Sequence, residues 1–289
     1  KQIALPDLQQ RNYLFDWLFT LNHNLTNSLR LDFSASSRNI VRNYLEDGPA
    51  GTTRVNTKLD IWDGLWDMGQ MDRFDQSVGA TYQVPFKFIP VLSFLDGTYS
   101  YNGNFNWQRG ATSLANVVDQ NNNTLGIVHT LQNANTIQWN GIANMRSLYS
   151  TLGLKKKTGN SAKKKPGVKF TNTLVGLITA LERVQFTYSE SNGTVLPGYT
   201  QNIGFLGTSN PGFEFAVGRQ KDIRFEAAKR GWLTEFPNFN QAYTSVHNTE
   251  MSYNAEIGLL QGLKLDLTGN RNYSENASEN FSVVNGAYT

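Results

Sequence analysis

Three histidines, His23, His129 and His247, are the side chains best able to move a proton or bind a metal near neutral pH. They lie far apart in the sequence, in or near expected turns. No His-x-x-x-His pair places two ligands on one face. They read as surface or lumen residues. The carboxylates Asp60, Asp63, Asp67, Asp72 and Asp75 gather around Trp62 and Trp66. Calcium takes several oxygens at once, but the regular Asp-x-Asp-x-Asp spacing of a calcium loop is missing, so these acids read as a solvated loop. Glycoside hydrolysis needs two carboxylates at a fixed separation, and nothing singles out a pair. There is no Gly-x-Ser-x-Gly elbow and no phosphate-binding glycine loop. Triplets such as Asn24-Leu25-Thr26 read as asparagine-rich turns rather than glycosylation sites. The chain has no cysteine, which removes disulfides, thiolate metal sites and cysteine nucleophiles. The expectation is a protein that is not an enzyme, with no catalytic residue, cofactor or metal.

The elements that would carry any site are strands. Tyr13, Phe15, Trp17, Phe19 and Leu21 alternate with Leu14, Asp16, Leu18 and Thr20. After a turn at His23-Asn24-Leu25-Thr26, Leu29, Leu31, Phe33 and Ala35 alternate with Ser28, Arg30, Asp32 and Ser34. This period of two gives a β-hairpin with one apolar and one polar face. Each arm approaches the ~9–11 residues that a tilted strand needs to cross a bilayer. The pattern returns in Phe74–Phe88, Tyr99–Trp107, Val184–Tyr188, Tyr253–Leu259 and Leu263–Leu267, with shorter candidates at Val55–Leu59, Thr136–Gly141 and Phe213–Val217. Two segments have helical spacing instead: Ile142, Met145, Leu148, Tyr149 and Leu152, and then Leu174, Leu177, Ile178 and Leu181.

Loops are expected at Asp47-Gly48-Pro49, Asn121-Asn122-Asn123, Ser191-Asn192-Gly193, Ser209-Asn210-Pro211-Gly212 and Phe236-Pro237-Asn238. The polar stretch 116–135 reads as one long extracellular loop. Gly193 to Tyr199 and Pro211-Gly212-Phe213 carry glycines that allow positive φ and prolines that fix it. Their structural reading is a re-aimed loop, and their functional reading is a plug or gate. The organisation expected is barrel strands and loops over 1–154, a lysine-rich linker at 155–167, and further strands and loops over 168–289. These form one barrel fragment rather than independent domains.

Composition fits this. Of 289 residues, 39% are hydrophobic and 17% charged, which resembles a soluble protein but also a barrel whose strands turn half their residues to a polar lumen. Mean hydropathy is -0.43. The net charge of +3 is too small to imply a nucleic-acid partner. The basic runs Lys155-Lys156-Lys157 and Lys163-Lys164-Lys165 read as a solvated loop, with a lipid-headgroup or polyanion patch as the sharper alternative. No apolar run approaches the ~20 residues of a membrane-spanning helix. The opening Lys1-Gln2-Ile3-Ala4 reads as the start of an internal piece of a longer protein.

Alternation alone also suits a soluble sandwich. Three features favour lipid. The polar faces are small and neutral, rich in Asn, Ser, Thr and Gly, where a water-facing sheet carries Lys and Glu. Several strands exceed the ~5–6 residues usual in soluble sheets. Aromatic residues, 12% of the chain, recur near strand ends as an interfacial girdle requires. The fold expected is all-β, a transmembrane antiparallel β-barrel forming part of a very large barrel, with one or two short helices and long loops.

Several stretches together resemble the SprA/Sov family, the outer-membrane translocon of the type IX secretion system in Bacteroidetes. They are Leu5-Pro6-Asp7-Leu8-Gln9-Gln10, Ile61-Trp62-Asp63-Gly64-Leu65-Trp66, 191–199, 211–218, Arg230-Gly231-Trp232-Leu233-Thr234 and Asn270-Arg271-Asn272-Tyr273-Ser274. The resemblance covers most of the chain and is weakest at 155–167. It implies a single barrel several times longer than this chain, which passes folded cargo bearing a type IX C-terminal signal across the outer membrane. It also implies a PorV-type shuttle barrel and a periplasmic plug as partners, and a link to gliding motility. The family offers no catalytic residues to carry over. Two other functions suit the sequence: a porin or nutrient receptor with a compact, binding-specific lumen, and a soluble secreted β-sheet adhesin.

Overall fold

A computed structural model describes residues 13–41, 45–47, 53–55, 68–111, 115, 117–120, 122–154, 178–207, 209–237, 239–260 and 263–289. The first hairpin joins β1 (Tyr13–Asn24) to β2 (Leu29–Val41). Its apolar positions pair across the strands as the alternation predicts, Phe19 with Ala35 and Leu21 with Phe33. The Thr26 hydroxyl accepts from the amides of Ser28 and Leu29 at 3.1 and 3.0 Å, which closes the turn. Two short strands, β3 (Leu45–Asp47) and β4 (Thr53–Val55), pair with each other apart from the main sheet. The main sheet continues with β5 (Gln70–Val84), β6 (Leu95–Gln108) and β7 (His129–Asn144). It ends with β8 (Leu181–Tyr199), β9 (Ala242–Leu260) and β10 (Leu263–Asn280). All neighbours are antiparallel, in the order β1-β2-β5-β6-β7-β8-β9-β10. The chain is therefore mostly β, in one eight-stranded meander with β1 and β10 at its two open edges.

Short helices among the described residues include α1 (Met145–Thr151), which follows β7, and α2 (Phe213–Ala216) and α3 (Arg224–Lys229), which lie between β8 and β9. A small hairpin, β11 (Val283–Val284) and β12 (Ala287–Tyr288), closes the chain.

The structure corrects several boundaries. The strand expected to reach Phe88 stops at Val84, because Pro85 has no amide for the ladder and residues 86–88 turn into a 3-10 helix. The loop expected at Ser191-Asn192-Gly193 is the middle of β8, where Asn192 pairs with Asn135 and Gly193 with Ala134. The long loop expected over 116–135 ends early, since β7 begins at His129. The short strand expected at Phe213–Val217 is α2. The first helical segment survives as α1, while Ile142 remains in β7. The second lies outside the described residues up to Leu177. Ile178 is helical and Leu181 opens β8. The lysine-rich linker and the acids Asp60, Asp63 and Asp67 also lie outside them.

Register assigns every strand residue to one of two faces. One row runs from Phe19 through Ala35, Gln76, Phe105, Asn133, Thr194 and Ser245 to Ala277. The adjacent row runs from Thr20 through Ser34, Ser77, Asn104, Ala134, Gly193 and Val246 to Asn276 and faces the other way. The strands also slant. Past the row from Arg30 through Thr81, Gln138 and Glu250, β2 stops at Leu29, β5 runs on to Val84, β7 to Asn144 and β9 to Leu260. The opposite ends step by less. Averaged over both, the stagger against the spacing between strands corresponds to a tilt of roughly 40°.

The core lies on the first face, where residues 199–241 fold back over the sheet. Phe74, Trp107, Leu131 and Leu196 are buried there against Ile203, Phe215 and Ala227. Edge contacts link the aromatic rings in series: Trp17 to Phe74 and Phe74 to Phe105 at 6.2 Å, then Phe105 to Phe215 at 6.0 Å. Each such ring contributes on the order of 2–3 kcal/mol by burial.

Candidate functional site

The second face is polar from edge to edge, apart from a few residues such as Leu14 and Leu18 on β1. A continuous groove of 350 Å³ crosses it, lined by residues of β2 and of β5 through β9. Side chains of this face bond laterally to one another. Ser77 bonds Asn102 at 3.2 Å, Asn106 donates to Asp75 at 2.7 Å, Thr136 bonds Ser191 at 3.1 Å, and Thr187 donates to Asn140 at 3.1 Å. Several charges are matched locally, Arg30 with Asp32, Arg38 with Asp16 and Arg73 with Asp75. These exposed pairs add little stability. Other charges of this face, among them Glu250, Lys264 and Asp266, lie outside these pairs.

The first face is mainly apolar, with a polar cluster of Glu190, Asn192, His247 and Thr249 in its middle, and residues 199–241 cover only part of it. Below them Leu21, Leu31, Tyr82, Trp139, Phe186, Tyr253, Leu265 and Leu267 remain exposed. The band follows the slant of the strands across the sheet. A soluble monomer rarely exposes a continuous apolar patch this broad. Tyr99 packs on Trp139 within it, with ring centroids 4.9 Å apart.

Residues 199–241 are held on the apolar face by polar side chains that the alternation does not anticipate. A four-residue helix leaves its last carbonyls without helical partners, and the sheet supplies donors. Gln76 Nε2 donates to the Ala216 carbonyl at 2.9 Å, Tyr101 Oη to Val217 at 2.7 Å, and Asn135 Nδ2 to Gly218 at 2.9 Å. Asn133 Nδ2 donates to Phe215 at 2.6 Å and to Arg219 at 3.2 Å, while Gln220 donates back to Asn133 Oδ1. Gln76, Asn133 and Asn135 are buried. Asn133→Asp is expected to cost more than Asn133→Ala, because it sets a second acceptor against two carbonyls. The alanine variant should lose about 1–3 kcal/mol through the lost side-chain hydrogen bonds, since the Phe215 and Arg219 carbonyls still accept the backbone amides of Gly218 and Lys221. Urea unfolding of both variants checks the order.

Arg224 locks the far end of this segment to the last strands. It pairs with Asp222 at 2.9 Å and with Glu279, and its guanidinium lies over Tyr243 at 4.3 Å and Tyr288 at 5.4 Å. The hydrogen bond from Arg224 holds the Asp222 carboxyl below its ordinary value and raises that of Arg224. A lowered carboxylate contributes stability that is present above its unfolded value, about pH 4, and that is lost as pH falls through the lowered one. Arg224 stays charged throughout. The β11–β12 hairpin is therefore expected to loosen only in acid, below about pH 4. Hydrogen exchange at 283–288 checks this, and a transition near pH 6 instead would refute the assignment.

The three histidines do not converge. His23 lies in β1. His247 is in mid-strand rather than at a turn, bonded to Asn192 at 2.5 Å and to Thr249 at 3.3 Å. His129 is buried against Trp107, not on the surface or in the lumen. Asp72 and Asp75 sit in β5, with Asp75 paired to Arg73. Among the described residues no His, Asp and Glu group is placed to hold a metal. Of the two stretches read as a plug or gate, 193–199 is the end of β8, with Gly193 and Val195 lining the polar groove, and 211–213 leads into α2 on the apolar face, where Phe215 is buried. Compared with known proteins, the sequence matches no family model and no curated protein.

Proposed function

We propose that this chain is a stretch of outer-membrane β-barrel wall lining a protein-conducting channel, in the manner of the type IX translocon family that it resembles. The observation that carries the reading is the contrast between the two faces. An exposed apolar band runs across the long strands, and the face behind it is polar and grooved. In lipid a sheet must hide its edges by closing, so the open edges at β1 and β10 join further wall. Strands such as the 19-residue β8 and β9 are long enough to cross a bilayer at the ~40° tilt usual for barrel strands and to project beyond it. A polar, weakly charged lumen suits the passage of folded cargo, which must not adhere.

In this reading the cargo bears a type IX C-terminal signal. A PorV-type shuttle barrel receives it, a periplasmic plug seals the channel, and gliding depends on the route where cells glide. The first test is extraction. The protein should remain in outer-membrane pellets through alkaline carbonate and enter solution only with detergent, and release without detergent would exclude a membrane wall. The second is a deletion strain, which should retain type IX cargo in the periplasm. Normal secretion from that strain would leave a barrel wall of another kind, such as a porin.

A further inference from the structure

Arg109 directly follows β6, and His129 opens β7. The two arms of the intervening loop meet closely: a Cβ on Gly110 would lie 1.8 Å from the Val128 carbonyl oxygen, so glycine is needed for the approach. The Arg109 amide donates to the Asp72 carbonyl at 2.8 Å, which fixes it beside the start of β5. A cavity of 560 Å³ opens at this point. Arg109, His129, Gln70 and Asn202 give it polar walls, and Met71 and Ile203 give it apolar ones. His129 is only 7% exposed, and its ring centroid lies 4.5 Å from that of Trp107. Arg109 Nε and His129 Nδ1 are both sealed from solvent and without a hydrogen-bond partner. Among the described residues no carboxylate lines the cavity. Arg73 and Arg224, by contrast, hold carboxylates.

Arg109 is half-buried, and a partly buried guanidinium with no counter-charge beside it among the described residues favours an anion. The planar fork of the guanidinium matches a carboxylate by two parallel hydrogen bonds. A single fixed cation matches a single negative charge. The amides of Gln70 and Asn202 add donors beside it, and the apolar wall suits a short hydrocarbon body. We propose that this cavity binds a monocarboxylate with a small apolar tail, its carboxylate seated on Arg109 beside His129.

The test uses the full chain in detergent, with butyrate as probe and butyramide and inorganic phosphate as comparisons, followed by calorimetry and thermal unfolding. Butyrate should bind and raise the midpoint, and butyramide should do neither. Arg109→Gln should weaken butyrate roughly ten- to a hundred-fold, the loss of a charge-assisted hydrogen bond. It should leave the midpoint without ligand unchanged or higher, since the side chain has no protein partner to lose. Arg109→Lys should fall between, keeping the charge without the fork. The proposal is overturned if butyrate and butyramide act alike, if Arg109→Gln keeps wild-type affinity, or if phosphate binds as tightly as butyrate. The comparison of butyrate with butyramide needs no variant, so a variant that misfolds does not rescue the idea.

Discussion

Alanine in place of Gly103 is expected to free residues 199–241 from the sheet. Gly103 lies on the apolar face of β6, where the backbone after α2 crosses it. An added Cβ would stand 1.9 Å from the Val217 carbonyl oxygen and 2.8 Å from its carbon. Those are backbone atoms, so no rotamer change relieves the clash. The approach is reciprocal: a Cβ on Gly218 would meet the Gly103 Cα at 2.5 Å, and Gly218 itself has φ +90. Moving the segment outward to make room also breaks the bonds from Gln76, Tyr101, Asn133 and Asn135 to the carbonyls of 215–219. Overpacking together with orphaned polar groups should cost about 3 kcal/mol or more. Hydrogen exchange at 215–219 and limited proteolysis within 199–241 report the release. Gly141→Ala is the control, because the only atom near its new Cβ is the Phe186 carbonyl oxygen at 3.9 Å. Unchanged protection in Gly103→Ala would show that the close packing of these two backbones does not hold the segment.

The same contacts explain what the sequence could and could not announce. The hairpin of β1 and β2 is legible because both faces follow the alternation and the turn is closed locally by Thr26. The start of β7 is not. Asn133 and Asn135 fall on the apolar face, where a window of neighbouring residues expects aliphatic ones. Their partners lie 82 and 83 residues away in the chain, in a segment whose short helix reads as a strand. Ser191, Asn192 and Gly193 mislead for a related reason. Their composition is that of a turn, yet Ser191 bonds Thr136 and Asn192 bonds Asn135 across the sheet, so their polarity is spent sideways on the ladder. Pro85 could have been read correctly, since a proline cannot donate within an inner strand. Arg109 and His129 carried no motif. What brings them together is the close return permitted by Gly110, which is a property of the folded loop.

The second large effect is expected from neighbouring positions that differ only in the face they present. Leu267 and Thr268 are consecutive residues of β10, and both are exposed. On a water-facing sheet, arginine at either should change stability by less than about 0.5 kcal/mol. In a barrel wall the two diverge. Leu267 belongs to the apolar band, so Leu267→Arg places a cation in hydrocarbon at a cost of about 2–4 kcal/mol near the bilayer midplane. Thr268→Arg points from the polar face and should be nearly silent. Phe186 and Thr187 repeat the test on an inner strand, with the difference that Thr187→Arg also gives up the 3.1 Å bond to Asn140, worth about 1 kcal/mol. Unfolding in lipid vesicles measures each cost, and the level of each variant in the outer membrane gives an independent readout. Equal tolerance at 267 and 268 would refute the wall and favour a soluble sheet, such as an adhesin that presents its tyrosines and tryptophans to a partner. A penalty confined to 186 and 267 would mean that the apolar band is held by solvent made of lipid, and that the groove behind it is the side open to water.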